Sequence, residues 1–389
     1  MSQLLESRWS ETKEALLEGL QGTKRTVMAS TLENTRKYLS ESATAGATSA
    51  GNVATLNRVI LPVIRRVMPT VIANELVGVQ PMTGPVGQIH TLRVRYSQTV
   101  GSGASGATAG EEALSPFKIA EAYSGNSTSG KADSTATLEG AAGNKLSIQI
   151  LKQTVEAKTR KLSARWTFEA AQDAQAQQGI DIEAEIMAAL AQEITAEIDQ
   201  EILASLVTLA GSQNQIAWDQ TAVSGTATFV GDEHASLAVA INRVANTIAQ
   251  RTRRGAGNWA VVSPTALTIL QSATTSAFAR TTEGTFEAPT NTKFVGTLNS
   301  AMKIYVNTYA ASDTVLIGYK GTSESDAAAF YCPYIPLMSS GVVLDPSTFE
   351  PVVSFMTRYG YVELTNTASS LGNAADYLGT VTIAGSSFY

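Results

Sequence analysis

Apolar residues recur at every fourth position from Ile182 through Ile186, Leu190, Ile194, Ile198 and Ile202 to Leu206, with no Pro or Gly between them. The spacing predicts one long helix over Asp181–Leu209. Gly179 and Asp181 mark its start, with Asp181 placed to cap it. On a helix of about 3.6 residues per turn, each step of four overshoots a full turn by about 40°, so the stripe winds around the helix as it climbs. Such a stripe cannot lie flat on one core. The helix is expected to be packed from different sides along its length, as a spine between two layers.

The rest of the chain falls into four patterns. Residues 1–40 read as an amphipathic helix through Leu4, Leu5, Trp9, Leu16, Leu17 and Leu20, weakened by Gly19 and Gly22, and are expected to form an arm outside the core. The small-residue run SESATAGATSAGN follows as a linker. The next segment, dense in branched apolar residues and broken by Pro62, Pro69, Pro81 and Pro85, leads through short turns into a strand with His90, Leu92, Val94 and Tyr96 on one face and Arg93 and Arg95 on the other. Alternation returns at Leu146, Ile148 and Ile150, and the stretch 97–144 between the two strands is too poor in large apolar residues to make its own core. The two strands and this stretch predict an extended hairpin or loop projecting from the body.

After the spine, a second helix is expected with Asp232 as its cap and Glu233 in its first turn, its face Leu237, Ile241, Val244, Ala245 and Ile248, and Arg251, Arg253 and Arg254 before Gly255 at its end. The strand NWAVVSP, the helix TALTILQSA, a loop, and the strands MKIYVNTY, TVLIGYKG and FYCPYIPLMSS make a compact α/β unit. The segment PVVSFMTRYGYVEL is a further strand, returning to the first layer. The fold class is α+β.

Charge sharpens this picture. Only 16% of the 389 residues are charged, against about 25% in ordinary soluble domains. A surface so short of charge suits a chain that covers its exterior with copies of itself. Between Arg165 and Arg243 there is no Lys or Arg but twelve acidic residues, Glu193, Glu197 and Glu201 among them, so this segment carries −12 where the whole chain carries −6. The basic counterpart lies just before it, in Lys145, Lys152, Lys158, Arg160, Lys161 and Arg165. The mild net acidity argues against tight nucleic-acid binding. The lone Cys332 excludes an internal disulfide or a multi-thiolate metal site. No apolar run is long enough to span a membrane and no signal-peptide core is present, so a soluble, cytosolic product is expected.

No catalytic constellation emerges, and neither an enzyme nor a cofactor or metal site is expected. His90 and His234 are the only histidines and read as structural. Gly101, Gly103 and Gly106 match a phosphate-binding spacing, but no amphipathic helix follows, and a flexible loop is the better reading. The spine carboxylates are spread around the helix without a His among them and read as a solvated or partner-facing surface. The clusters Arg65–Arg66 and Arg251–Arg254 suit salt bridges or helix ends.

Several stretches together resemble the major capsid proteins of T-even-type tailed bacteriophages: LPVIRRVMPTVIANELVGVQPMTGPVGQI, KQTVEAKTRKLSARWTFEAAQDAQAQQGID, EITAEIDQEI, RRGAGNWAVVSP, and FYCPYIPL with PVVSFMTRYG. They run in order across most of residues 56–361. The resemblance implies a Hong Kong 97-type capsid fold, partitioned into an N-terminal arm (1–51), the first part of a P-domain (52–96), an E-loop (97–165), the P-domain with its spine helix (166–224), an A-domain (225–340), and a return to the P-domain and C-terminus (341–389).

It further implies hexamers and pentamers of this chain closing an icosahedral head around double-stranded DNA held only non-specifically, with scaffold, portal and vertex or decoration proteins as partners. The chain would sit in the virion capsid, and in the host cytoplasm during assembly. An encapsulin-like nanocompartment shell is the alternative. A prohead protease of the family cuts after Leu-x-Glu or Ile-x-Glu, which Leu16-Leu17-Glu18 and Leu39-Ser40-Glu41 fit, in a segment expected to be exposed. An E-loop crossing a neighbour's P-domain would bring Lys152, Lys158, Arg160, Lys161 and Arg165 against Glu193, Glu197 and Glu201 between chains. Pairing of the same charges within one subunit stands as the other reading.

Overall fold

The computed structural model describes residues 9, 13–14, 17, 22, 25–34, 72–101, 106–111, 113, 120–140, 142–178, 181–211, 214–220, 230–273, 278–280, 292–310, 312–324, 326–364 and 374–385. Two sheets sandwich one long helix, and a two-stranded hairpin stands apart from both. The first sheet runs β1 (Gly78–Val79), β11 (Ala329–Ser339), β13 (Pro351–Glu363), β12 (Val343–Leu344), with β4 (Lys158–Arg165) also paired to β13. The second runs β5 (Gln215–Asp219), β14 (Leu378–Ala384), β10 (Thr314–Gly318), β6 (Trp259–Val262), β9 (Met302–Asn307), β8 (Thr292–Leu298), β7 (Phe278–Arg280).

The long helix spans Ile182–Ala210. Asp181 caps it as expected, its side chain accepting from the Glu183 amide at 3.1 Å, and Gly211 ends it at φ 54. Its fourfold stripe is half-buried at Ile182 and Ile186 and buried from Leu190 onward. One cluster joins Ile194, Ile198, Ile202 and Leu206 to Tyr331, Val353 and Phe355 of the first sheet and to Trp259, Leu316 and Leu378 of the second. The winding stripe is thus satisfied by one layer on each side. A second core lies between the helix Val230–Thr252 and the outer face of the second sheet, through Leu237, Ile241 and Ile248 against Val262, Ile304 and Val381.

Several expectations need correction. The N-terminal stretch is not outside the core: residues 25–34 are helical, and Leu17, Val27, Met28 and Leu32 are buried in the spine cluster. Asn34 fixes this helix to the body, its side-chain amide donating to the carbonyls of Met82 (2.6 Å) and Tyr334 (3.1 Å). The second helix begins before Asp232, at Val230, so Asp232 and Glu233 lie in its first turn. It ends at Thr252, where Arg253 takes the left-handed conformation (φ 49) before Gly255 is reached. The stretch expected as a loop contains β7 and β8. Beyond β13 the chain does not stay with the first layer, because β14 crosses back to the second sheet, parallel to β5 and antiparallel to β10.

The hairpin pairs β2 (Val86–Tyr96) with β3 (Leu146–Glu156) over eleven positions. It begins inside the stretch expected as P-domain and ends before β4, which belongs to the first sheet. At its root Val155 packs with Met82, Phe330 and Cys332 in a small separate core. At its tip the poorly apolar stretch borrows Tyr96: the Tyr123 ring lies 4.5 Å from that ring, its hydroxyl accepts from the Ser97 amide at 3.2 Å and donates to the Lys145 carbonyl, and Asn144 donates to the Tyr123 carbonyl at 2.7 Å. One buried tyrosine therefore closes the two ends of the excursion.

Candidate assembly interface

Strand alternation puts Leu92, Val94 and Tyr96 of β2 directly opposite Ile150, Ile148 and Leu146 of β3, all on one face. That face turns away from the body. Leu92 is 65% exposed, Ile148 69% and Ile150 64%, values ordinary for surface lysines and unusual for three neighbouring aliphatic side chains. His90 pairs with Lys152 at the end of the same face. A second exposed apolar group sits on the first sheet, where Val343 and Leu344 of β12 adjoin Phe349, whose ring is 5.9 Å from Phe168. Phe349 holds φ 58, a strained conformation for a bulky residue. The tight turn behind it is made by Asp345, which accepts from the amide (2.9 Å) and hydroxyl (2.6 Å) of Ser347.

The basic strand and the acidic helix meet within the chain. Because β4 is a strand of the first sheet and lies against the spine, Arg160 reaches Glu197 (2.6 Å) and Glu201 (2.5 Å), one turn apart on the helix. Its Nε donates to the Tyr359 hydroxyl at 2.6 Å, and that hydroxyl donates to Glu201. Burial opposes ionisation of Glu201, but the hydrogen bonds from Tyr359 and Arg160 outweigh it and hold the carboxyl below its ordinary range, with Lys158 adding to the effect. For Arg160, Glu197 and Glu201 the structure holds the second of the two readings, the pairing inside one subunit.

The remaining charges are not brought together. Arg165 lies 3.6 Å from Glu350. Lys161 sits on the other face of β4, opposite Met356. Lys152 is on the hairpin and Glu193 is exposed on the spine, and among the described residues neither makes an ion pair. Glu18 and Glu41 lie outside the described residues, as do the linker, Arg65, Arg66 and Gly103. Leu17, next to Glu18, is buried rather than exposed.

One spine acid departs from the solvated surface expected of it. Asp199 is fully buried, and its Oδ1 accepts from the Ile72 amide at 2.9 Å. The signal lay in the row one position beyond the isoleucines, Ala191, Thr195, Asp199 and Leu203, all buried, which makes the apolar face two rows wide. His90 is on the exposed hairpin face, and the buried His234 has its Nδ1 2.6 Å from Ser272 Oγ. Arg251 pairs with Asp376 (3.2 Å) and Arg254 with Asp326 (2.7 Å), the salt bridges expected of that cluster. Among the described residues no group of His, Cys, Asp and Glu has the arrangement of a metal site, and no helix is long and apolar enough to cross a membrane.

Residues 53–383 match the family described as "Major capsid protein Gp23". The chain is 30% identical to the major capsid protein of Vibrio phage KVP40, covering 84% of this chain and 80% of that protein. It is 28% identical to the major capsid protein of Enterobacteria phage T4, covering 83% and 78%. Among solved structures it is similar to the capsid of Myoviridae phage XM1 at 10% identity, with a TM-score of 0.45 over 81% of this chain and 92% of that one.

Proposed function

Since the chain belongs to the major capsid protein Gp23 family, and is thus a shell protein of a tailed-phage virion, we propose that its copies are joined through the apolar face of the β2–β3 hairpin, seated on a neighbouring subunit. The observation that carries this reading is the exposure of Leu92, Ile148 and Ile150 on one face of a two-stranded hairpin. A chain that contacts its copies head to tail needs two unlike patches, and the contact closes into a ring when the rotation allows. The hairpin is one such patch, and Phe349 with Val343 and Leu344 offers a second.

In Hong Kong 97 terms the hairpin Val86–Glu156 serves as the E-loop, the first sheet with the spine as P-domain, and the second sheet with its helix as A-domain. Rings of five and six such subunits close the head. With a net charge of −6, the shell holds DNA without binding it tightly. Scaffold, portal and vertex or decoration proteins are the further partners of this reading, and cleavage after Glu18 or Glu41 is tested by the intact mass of mature particles. The nanocompartment alternative is not favoured, because the matched family and relatives are phage capsid proteins.

The test is the triple substitution Leu92→Ser, Ile148→Ser, Ile150→Ser in the full chain. Size exclusion with light scattering should show rings, tubes or shells for the parent and none for the variant, while circular dichroism and melting of the subunit stay unchanged. Shells at parental yield would refute the interface.

A further inference from the structure

Asp199 is an acid in the centre of the subunit, and among the described residues nothing around it offsets a charge. Its Oδ1 accepts from the Ile72 amide at 2.9 Å, and its equally buried Oδ2 has no hydrogen-bond partner among the described residues. Among the described residues, Tyr331 and Cys332 of β11, Tyr359 of β13 and Glu201 of its own helix share its electrostatic surroundings. Arg160 of β4 and Glu75 of the short helix Ala73–Leu76 lie on neighbouring elements, while Lys158, Lys161 and Arg165 of β4 are exposed. Burial holds Tyr331, Tyr359 and Cys332 in their neutral forms. Arg160 is engaged by Glu197 and Glu201, and Glu75 lies 3.6 Å from Lys303. A buried carboxylate without a cation or further donors is unfavourable, so ionisation here requires water to enter.

What Asp199 holds is the chain that leads to the hairpin. Ile72 precedes the helix Ala73–Leu76, which runs into β1 against β11. The amides of Gln80 and Met82 then donate to the Tyr331 and Pro333 carbonyls, each at 3.0 Å, and the hairpin starts at Val86. We propose that Asp199 is a proton-operated latch: neutral, it seats the Ile72 amide and the root of the hairpin on the spine helix; ionised, it loosens that seat. Burial pushes the Asp199 carboxyl up to about 7, the Ile72 hydrogen bond opposing this only in part. The sign follows from linkage. A raised acid stabilises the closed seat fully below its ordinary pKa of 3.8, and this contribution is lost as pH rises through about 7.

The latch is read on the soluble subunit, so its failure is distinct from failure of the assembly interface. Hydrogen exchange of the full chain, corrected for intrinsic rates, should show protection of residues 72–82 falling about tenfold per pH unit between roughly pH 5 and pH 7, then levelling. Asp199→Asn keeps an acceptor for Ile72 and removes the ionisation, and its profile should be flat over the same range. A flat profile for the parent chain overturns the proposal whatever the variant does, as does a variant that follows the parent's slope.

Discussion

The spine helix and the β2–β3 hairpin carry the same kind of side chain at regular spacing, and they end in opposite surroundings. Ile194, Ile198 and Ile202 of the helix are each 1% exposed, whereas Ile148 and Ile150 of the hairpin are 69% and 64% exposed. Burying an aliphatic side chain of this size contributes about 1.5–3 kcal/mol. The helix takes that stabilisation from its own chain, between two sheets, and the hairpin leaves it to be taken from elsewhere. A two-stranded hairpin is marginal by itself, and this one is held at the root by Val155 and at the tip by Tyr123. In a shell protein the difference separates two tasks. On the proposed interface, subunit stability sits in the spine, and the hairpin's apolar area serves the contact between subunits.

The strongest way to break the comparison is to truncate one isoleucine from each side. Ile198→Ala opens a cavity where both sheets meet the helix and should cost about 2–5 kcal/mol in urea unfolding. Ile148→Ala should change the unfolding free energy of the subunit by less than about 0.5 kcal/mol. Equal losses at the two positions would mean that the hairpin face is packed within the subunit.

The next effect tests the joint between the two regions. Gly360 of β13 faces the hairpin root, where an added Cβ would lie 2.5 Å from a Val155 methyl and 3.1 Å from the Glu156 carbonyl oxygen. Since the second contact is backbone, the end of β3 must move. Gly360→Ala should cost about 1–3 kcal/mol and reduce assembly more than the parent destabilised equally by mild urea. Stability and assembly at parental levels would show that the root tolerates displacement.

The spine was legible because a long, unbroken repeat admits one period, and Asp181 announced its cap. The alternation of β2 and β3 was legible too, but not its exposure, because a strand with one apolar face reads alike whether that face meets a core or a neighbour. Helix Phe168–Gln178 carries no apolar stripe and gave no periodic signal. The packing of Val27, Met28 and Leu32 depends on Asn34 reaching the carbonyls of Met82 and Tyr334, a contact across the whole chain. Asp199 was grouped with the surface acids, since charge alone does not tell which side of a helix is covered. The opposite charges of β4 and the spine were plain in the sequence. Whether they met within or between chains rested on β4 joining β13, a pairing with nearly two hundred residues between its strands that local pattern does not encode.

That pairing yields the smallest predicted effect. Arg160 ties β4 to the spine through Glu197 and Glu201, but its side chain is 31% exposed and theirs 45% and 41%. Water screens such pairs, and each exposed one contributes about 0–1 kcal/mol. The Tyr359 hydroxyl, bonded to both Arg160 and Glu201, makes the group a network and places the expected cost of Arg160→Met near the top of that range, at about 1 kcal/mol. A double-mutant cycle with Glu201→Gln should return a coupling of about 0.5–1 kcal/mol in subunit unfolding, and shells should still form from the Arg160→Met chain. The hairpin variants should behave in the opposite way, with stability kept and assembly lost. If Arg160→Met leaves unfolding untouched and abolishes assembly, the guanidinium acts between subunits, and the division of labour between spine and hairpin fails at β4.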